Sequence, residues 1–191
     1  ADSILEVLIN GFDLEKAYVN NGGDVSFYLS DGQKMKSSIA SMENAFTEIK
    51  YNDKSRGIAT SGWQGRSFSL GIADSVTVLA KNAAMADAAA TMIGNSVDIK
   101  DHNLIKKRNA ADLYDDSDLL DKLVTVEVGD LSKEDILEAI QNGHLQATKY
   151  LNKKLINSAL IQLRGYFCIV QKTSSNLDIK HKSSLKEVKF G

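Results

Sequence analysis

The feature that most constrains this fold is a change of residue pattern at Ala83. Before it, short runs of alternating apolar and polar residues are separated by Gly, Asn and Asp, which is typical of strands joined by turns. An initial segment, residues 2–10, has apolar residues at i, i+4 spacing and predicts a helix. We expect strands at residues 17–19, 25–29, 45–50, 57–60, 66–72 and 75–80.

From Ala83 onward, an alanine-rich run favours a helix whose small side chains allow close packing on a sheet. The polar segment 98–121 indicates surface loop and short helix. Ser132 and Asp135 resemble a capping box that opens a helix. The remaining expected elements are a strand at 123–128, helices at 133–141 and 145–153, and a hairpin of 159–163 with 166–170.

Together these elements predict an α+β fold in α/β layers, mostly antiparallel sheet with helices packed on it. A chain of 191 residues that is 43% hydrophobic can bury one sizeable core. We therefore expect a single domain over residues 1–171. Residues 172–191 are polar and rich in lysine, which predicts a loosely ordered tail.

Charge and hydropathy narrow the classes of function. The formal net charge is -2, so the chain lacks the basic field that draws proteins to nucleic acid. No apolar run reaches the roughly 20 residues that span a bilayer, and a cytoplasmic location is expected. Because Ala1 lies just before an apolar helical pattern, we expect a missing N-terminal part, which leaves export open. The single cysteine, Cys168, can form no intramolecular disulfide.

The turn Asn20–Asp24 is the first candidate binding loop. Asn21, Gly22, Gly23 and Asp24 join two expected strands, and paired glycines allow positive φ and close approach of the backbone to a ligand phosphate. The alternative is an ordinary tight hairpin, since Asn-Gly is a common hairpin signal. The residues alone favour the hairpin.

A second candidate loop follows the next strand. Thr60, Ser61 and Gly62, with Arg66 close behind, offer hydroxyls, amides and a guanidinium for phosphate oxygens. The alternative is a hairpin whose arginine forms a surface ion pair. Ser67 does not lie in a nucleophile elbow, because the second glycine of that motif is absent.

Asp87 and Thr91 form a candidate metal pair on the alanine-rich helix. Their i, i+4 spacing points a carboxylate and a hydroxyl the same way, and hard oxygen ligands suit Mg²⁺. The alternative is that Asp87 interacts with the helix N-terminus and Thr91 with the preceding turn. The three histidines are too scattered for a zinc site.

Four segments in this order resemble the ApbE-type flavin transferases. They are Val19 to Val25, Ile58 to Gly62, Val76 to Ala80, and Ala86 to Thr91. Further stretches, Gly65 to Ala80 and then Asp116 to Asp118 followed by Leu123 to Val126, more closely resemble a poorly characterised ApbE-like branch. The second resemblance covers most of residues 1–170, and the first is limited to about residues 1–96.

The resemblance implies a T-fold-like domain that binds FAD or a related flavin nucleotide with Mg²⁺. In active members FMN is transferred to a threonine of an acceptor protein and AMP is released. By position, Asp87 and Thr91 match the metal motif. The two loops around Gly22 and Ser61 match the nucleotide site. A small-molecule nucleotide, an acceptor protein and a further copy of the chain are the candidate partners.

One departure from the resemblance concerns catalysis. Active members have a histidine before an Asp-Pro-x-x-Gly segment, where this chain has the sequence from Ser67 to Asp74 without histidine or proline. Asp74 is the candidate substitute as proton acceptor. The alternative is a non-catalytic binding or assembly module that keeps the fold and has lost transferase activity.

Overall fold

The computed structural model describes residues 1–39, 46–114, 117–172 and 185–190. Within these residues the strands are β1 (Lys16–Asn20), β2 (Asp24–Leu29), β3 (Lys34–Ser38), β4 (Phe46–Lys50), β5 (Gly57–Ser61), β6 (Ser75–Ala80), β7 (Ile105–Asn109), β8 (Leu123–Val128), β9 (Ser158–Leu163), β10 (Tyr166–Gln171) and β11 (Lys186–Glu187). The helices are α1 (Asp2–Gly11), α2 (Ala83–Ser96) and α3 (Lys133–Asn152), with a 3-10 turn at Ala110–Asp112. In the part of the chain that the structure describes, no helix is long and apolar enough to cross a membrane.

A seven-stranded sheet forms the centre, in the order β1-β2-β5-β6-β9-β10-β11. Its neighbouring strands are antiparallel except β10 and β11, which are parallel. Helices α2 and α3 pack on one face, where Val76, Val78 and Ile161 of the sheet meet Ala86 and Ala90 of α2. Because alanines leave little space between helix and sheet, α2 lies close to β5 and β6. The predicted α+β class with a mostly antiparallel sheet is confirmed.

The hairpin of β3 and β4 covers part of the other face. Ile49 of β4 joins Phe27, Leu29, Ile58 and Leu79 of the main sheet in a second apolar cluster. This small layer therefore borders the openings at both ends of β5 and β6 that are described below.

Helix α3 differs from the prediction of two helices separated near Gly143. It is one continuous helix, and its capping box is confirmed by mutual hydrogen bonds between Ser132 and Asp135. A Cβ on Gly143 would lie 2.4 Å from Cγ2 of Val97, so this glycine permits close packing against the end of α2. Burial of the face of α3 that carries Gly143 stabilises the helix, so it continues past this residue despite the low helix propensity of glycine.

The predicted strand at 66–72 was wrong, and the prediction for the polar segment 98–121 was right for its short helix, the 3-10 turn at Ala110–Asp112, but missed a strand. Residues 66–72 were predicted as a strand but form turns, which the side chain of Asn95 holds by accepting the backbone N–H of Leu70 at 2.9 Å. The polar segment predicted as loop and short helix contains β7, which pairs with β8 as a separate two-stranded sheet. Its polar residues alternate in exposure, as expected for a solvated hairpin.

The end of the chain is partly outside the described residues. Of the predicted tail, residues 173–184 and 191 lie outside them, as do residues 40–45 and 115–116. Residues 185–190 include β11, and the Phe190 ring lies 5.0 Å from that of His144 on α3. This contact places Phe190 against the core under α3.

Candidate functional site

A cleft of about 1080 Å³ opens where the β1–β2 turn meets the end of β5 and the beginning of β6. All eleven residues predicted from the sequence as binding, metal or catalytic residues line it. They come from four separate parts of the chain that the fold brings together at one end of the sheet. They are Asn21, Gly22, Gly23, Asp24, Thr60, Ser61, Gly62, Arg66, Asp74, Asp87 and Thr91.

The turn between β1 and β2 forms one wall of the cleft. The Asn20 side chain accepts the Gly22 N–H at 2.8 Å, and Asn21 N–H donates to the Asp24 carbonyl at 2.9 Å. Gly22 has φ +76°, and the Arg66 guanidinium donates to its carbonyl oxygen. The backbone conformation favours glycine here, and a Cβ at Gly22 would also lie 2.4 Å from Nη2 of Arg66, so the guanidinium would have to move away from the turn.

The end of β5 forms the floor of the cleft. Thr60 N–H donates to the Gly23 carbonyl at 3.2 Å, and the hydroxyls of Thr60 and Thr77 hydrogen-bond at 2.8 Å. A Cβ at Gly62 would lie 2.3 Å from the carbonyl oxygen of Asp74. The two predicted loops are thus joined directly, and a glycine lets the second loop pass close to the start of β6.

Helix α2 provides the opposite wall with Asp87 and Thr91. Both side chains are exposed and line the cleft one turn apart. Within the described residues neither the Asp87 carboxylate nor the Thr91 hydroxyl has a hydrogen-bond or ion-pair partner. Both groups are therefore available to a ligand.

The start of α2 is held by other residues. Asp2 accepts the backbone N–H groups of Ala83 at 3.0 Å and Ala84 at 2.9 Å, and the Ser26 hydroxyl at 2.6 Å. The Asn82 side chain accepts a further N–H of the first turn. Partial burial opposes ionisation of Asp2, but these hydrogen bonds outweigh it and lower the pKa of its carboxyl below the usual value. Because these groups satisfy the N-terminus of α2, Asp87 is not required there.

Asp74 is the most constrained carboxylate of the cleft. One oxygen accepts the Arg164 backbone N–H at 2.5 Å, and the other lies 3.4 Å from the indole nitrogen of Trp63. Asp74 therefore ties the start of β6 to the turn between β9 and β10. Each oxygen keeps a further lone pair, so the carboxylate retains capacity to accept a proton.

Comparison with known proteins bears on the same region. A family model described as "AbpE bacteria" matches residues 1–169. The chain belongs to this AbpE family.

Curated relatives of the AbpE-family chain carry the name UPF0280 protein. One from Methanococcus maripaludis strain C6 is 44% identical over 98 residues, which is 48% of this chain and 39% of the relative. Another, from Methanosphaera stadtmanae, is 33% identical over 103 residues, or 50% of this chain and 41% of the relative. The matched part of the chain thus spans about two fifths of the length of these relatives.

The AbpE-family cleft also has residues that the sequence did not indicate. Met35, Lys36, Ser37 and Ser38 of β3 line it, as does Gln64. The Asp31-Gly32 hairpin signal was visible in the sequence, but nothing local shows that the hairpin folds back over the sheet. The charged side chains of the cleft are then Lys36 and Arg66 against Asp24, Asp74 and Asp87.

A metal bound in this cleft would have to share its coordination shell with a ligand. The described residues contain no group of three or more His, Cys, Asp or Glu that could hold a metal alone. Mg²⁺ commonly uses one or two protein carboxylates and completes its shell with phosphate and water.

The single cysteine, Cys168, does not suit the role of a nucleophile. Burial, together with the charge of Glu187, raises the pKa of its thiol to about 12, which disfavours the reactive thiolate.

Proposed function

We propose that this AbpE-family chain binds a flavin nucleotide, FAD or a related nucleotide phosphate, in the cleft together with Mg²⁺. The observation that carries the proposal is that all eleven predicted residues line one cleft. Its volume of about 1080 Å³ suits a large ligand, since ligand sites commonly measure about 300 to 1,000 Å³. The order of the ApbE-like segments supports the flavin part.

The chemistry of the lining fits this ligand. The Asp87 carboxylate and the Thr91 hydroxyl supply hard oxygens for Mg²⁺. Arg66 lines the same cleft, and the guanidinium N–H groups that do not bond the Gly22 carbonyl would offer hydrogen-bond donors to phosphate oxygens. Bound Mg²⁺ would neutralise diphosphate charge beside the carboxylates.

Transfer of FMN is the reaction that this site would perform in an active enzyme. A threonine oxygen of the acceptor would form a bond to the FMN phosphorus, the bond to the AMP oxygen would break, and the threonine proton would pass to a base. Asp74 is the proposed base, and its bonds to Arg164 and Trp63 would fix its position.

The second candidate is a non-catalytic binding or assembly module with the same ligand. The observation that favours it is that no histidine lines the cleft among the described residues. Of the histidines described, His102 lies beside Asp135 and His144 packs on Phe190, both outside the cleft lining.

Two measurements on the purified protein test the two candidate functions, the transferase and the non-catalytic module. Calorimetry with FAD and Mg²⁺ tests binding, and absence of heat and of a flavin spectrum would sink both candidates. Incubation with FAD, Mg²⁺ and a threonine-containing acceptor protein then separates them by AMP release. AMP release that Asp74→Asn abolishes supports the transferase, and binding without AMP release supports the module.

A further inference from the structure

A second opening lies at the other end of β5 and β6. It is a cavity of about 690 Å³ between the β3–β4 hairpin, the residues before β5 and the turn that follows α3. Its apolar side chains are Ile49, Leu79, Leu151 and Ile156. All four of these side chains are buried in the core.

Lysines dominate the charge of this cavity. Lys54, Lys81, Lys154 and Lys172 line it. No salt bridge engages any of the four among the residues described.

The two acidic residues of the lining are already engaged. Glu48 lies 3.4 Å from the ammonium of Lys34, outside the cavity. Asp53 accepts the backbone N–H of Lys50 at 2.7 Å. Among the described residues of the lining, four lysines outnumber the two carboxylates, and an anion would balance the excess of positive charge.

Two residues with buried side-chain hydroxyls, Thr47 and Ser55, line the same cavity. Thr47 is 2% exposed, and its hydroxyl oxygen has no hydrogen-bond partner within the described residues. Rotation about χ1 to another staggered rotamer moves the hydroxyl to the position now held by the methyl group or by the Cβ hydrogen, and a ligand contact would require the rotamer that turns it toward the cavity that Thr47 lines. The Ser55 oxygen accepts from the Asn157 amide at 2.9 Å, which leaves the Ser55 proton as a donor.

We propose that this cavity binds a small molecule that carries a phosphate group and an apolar part, without a metal. Lysines and hydroxyls meet the phosphate, and the apolar lining meets the rest of the ligand. Exposed lysines alone are ordinary surface. Here they border a cavity with an apolar floor and an unpartnered buried hydroxyl, and a buried polar group of that kind requires a partner.

The test is a titration of the ¹⁵N-labelled protein with phenyl phosphate or inorganic phosphate, in EDTA so that metal-dependent binding is absent. We expect saturable shifts of the Thr47, Ser55 and Asn157 amides, with phenyl phosphate binding about tenfold more tightly because burial of its ring adds affinity. Absence of shifts at these amides, or equal affinity for the two probes, would overturn the proposal.

Matched lysine variants show whether binding of phenyl phosphate depends on the lysines of the cavity or only on the total charge of the protein. The double variant Lys54→Gln/Lys81→Gln is expected to weaken phenyl phosphate by about tenfold, roughly threefold for each exposed charge. Lys100→Gln, at an exposed lysine outside the lining, is the control and is expected to leave affinity unchanged. Equal affinity of the double variant and the control would contradict the site.

Thr47→Val tests the hydroxyl. Because that hydroxyl has no partner in the fold described, its removal is expected to leave the thermal midpoint unchanged or higher. Phenyl phosphate binding is expected to fall by about fivefold with loss of the donated hydrogen bond. A variant that keeps full affinity would contradict the role of Thr47, and a lower midpoint would show that the hydroxyl is structural instead.

Discussion

The two openings of this molecule lie at opposite ends of β5 and β6, and their charges differ in sign. The cleft has the carboxylates of Asp24, Asp74 and Asp87 against two cationic side chains. The cavity has four lysines against two carboxylates that are already engaged. The same hairpin, β3–β4, borders both.

This difference determines how each opening can hold an anion. A phosphate at about 4 Å from a carboxylate is repelled by roughly 4 kcal/mol near a protein surface, so the proposed nucleotide site would need a bridging cation beside its carboxylates. Lysines attract phosphate directly, so the cavity would require no bridging cation. Dependence on Mg²⁺ is therefore the property that should separate the two sites most clearly.

The largest expected effect is that of Asp87→Asn. Loss of the charged metal ligand should cost about 2 kcal/mol of FAD binding with Mg²⁺, or roughly thirtyfold in affinity by calorimetry. Glu138→Gln, an exposed carboxylate on α3 outside both linings, is the control. The distinction between the two openings would be contradicted if Asp87→Asn bound FAD with the affinity of the control, or if it also lowered the affinity of the cavity for phenyl phosphate.

Gly22→Ala should affect the cleft next most strongly. Positive φ costs an alanine about 1 to 2 kcal/mol, and the new Cβ would also meet Arg66. Gly32→Ala is a matched control, because Gly32 has φ +75° in a hairpin turn with nothing within 4 Å of its added Cβ. We expect denaturant melts to show similar losses of stability for both variants, and reduced FAD affinity for Gly22→Ala alone.

Asp2→Asn should destabilise the N-terminus of α2, the helix that carries Asp87 and Thr91 of the cleft. Because the pKa of the Asp2 carboxyl is lowered in the fold, its contribution is present above the unfolded value near 3.8 and is lost as pH falls through the folded value. We expect a loss of about 1 kcal/mol at neutral pH, after allowance for solvent screening. Urea melts should show that the difference in stability between the native protein and Asp2→Asn shrinks as pH falls from about 3.8 through the folded pKa. A difference that stays constant with pH would contradict this role of Asp2.

Salt should give the smallest effect and act mainly on the cavity. Raising ionic strength from about 0.05 M to about 0.5 M shortens the screening length of exposed charges, so phenyl phosphate should bind about threefold more weakly. FAD in the cleft should change less, because direct coordination of its phosphates to Mg²⁺ is less screened. Equal salt dependence at both sites would remove the distinction between them.

Local signals marked the cleft residues as candidates, but the residues alone favoured an ordinary hairpin at Asn20–Asp24, and the order of the ApbE-like segments was what singled them out. Paired glycines in a turn and an i, i+4 pair on a helix need only neighbouring residues. The structure adds their meeting in one place, which follows from the strand order of the sheet. The contact between Arg66 and Gly22 joins residues 44 apart and has no local signal.

The missed features depend on distant packing. Gly143 interrupts helix propensity, yet Val97 packs against it and α3 continues. Residues 66–72 alternate as a strand does, but Asn95 at the end of α2 holds them in turns. The cavity combines four separated segments, none of which carries a motif.

The most direct test of the cleft is calorimetric titration of the purified protein with FAD, once with Mg²⁺ and once with EDTA. We expect saturable binding at one site with Mg²⁺ and at least about a tenfold loss of affinity in EDTA, because the carboxylates then repel the diphosphate. No binding in Mg²⁺, or the same affinity in both conditions, would contradict a metal-dependent nucleotide site built on Asp87 and Thr91.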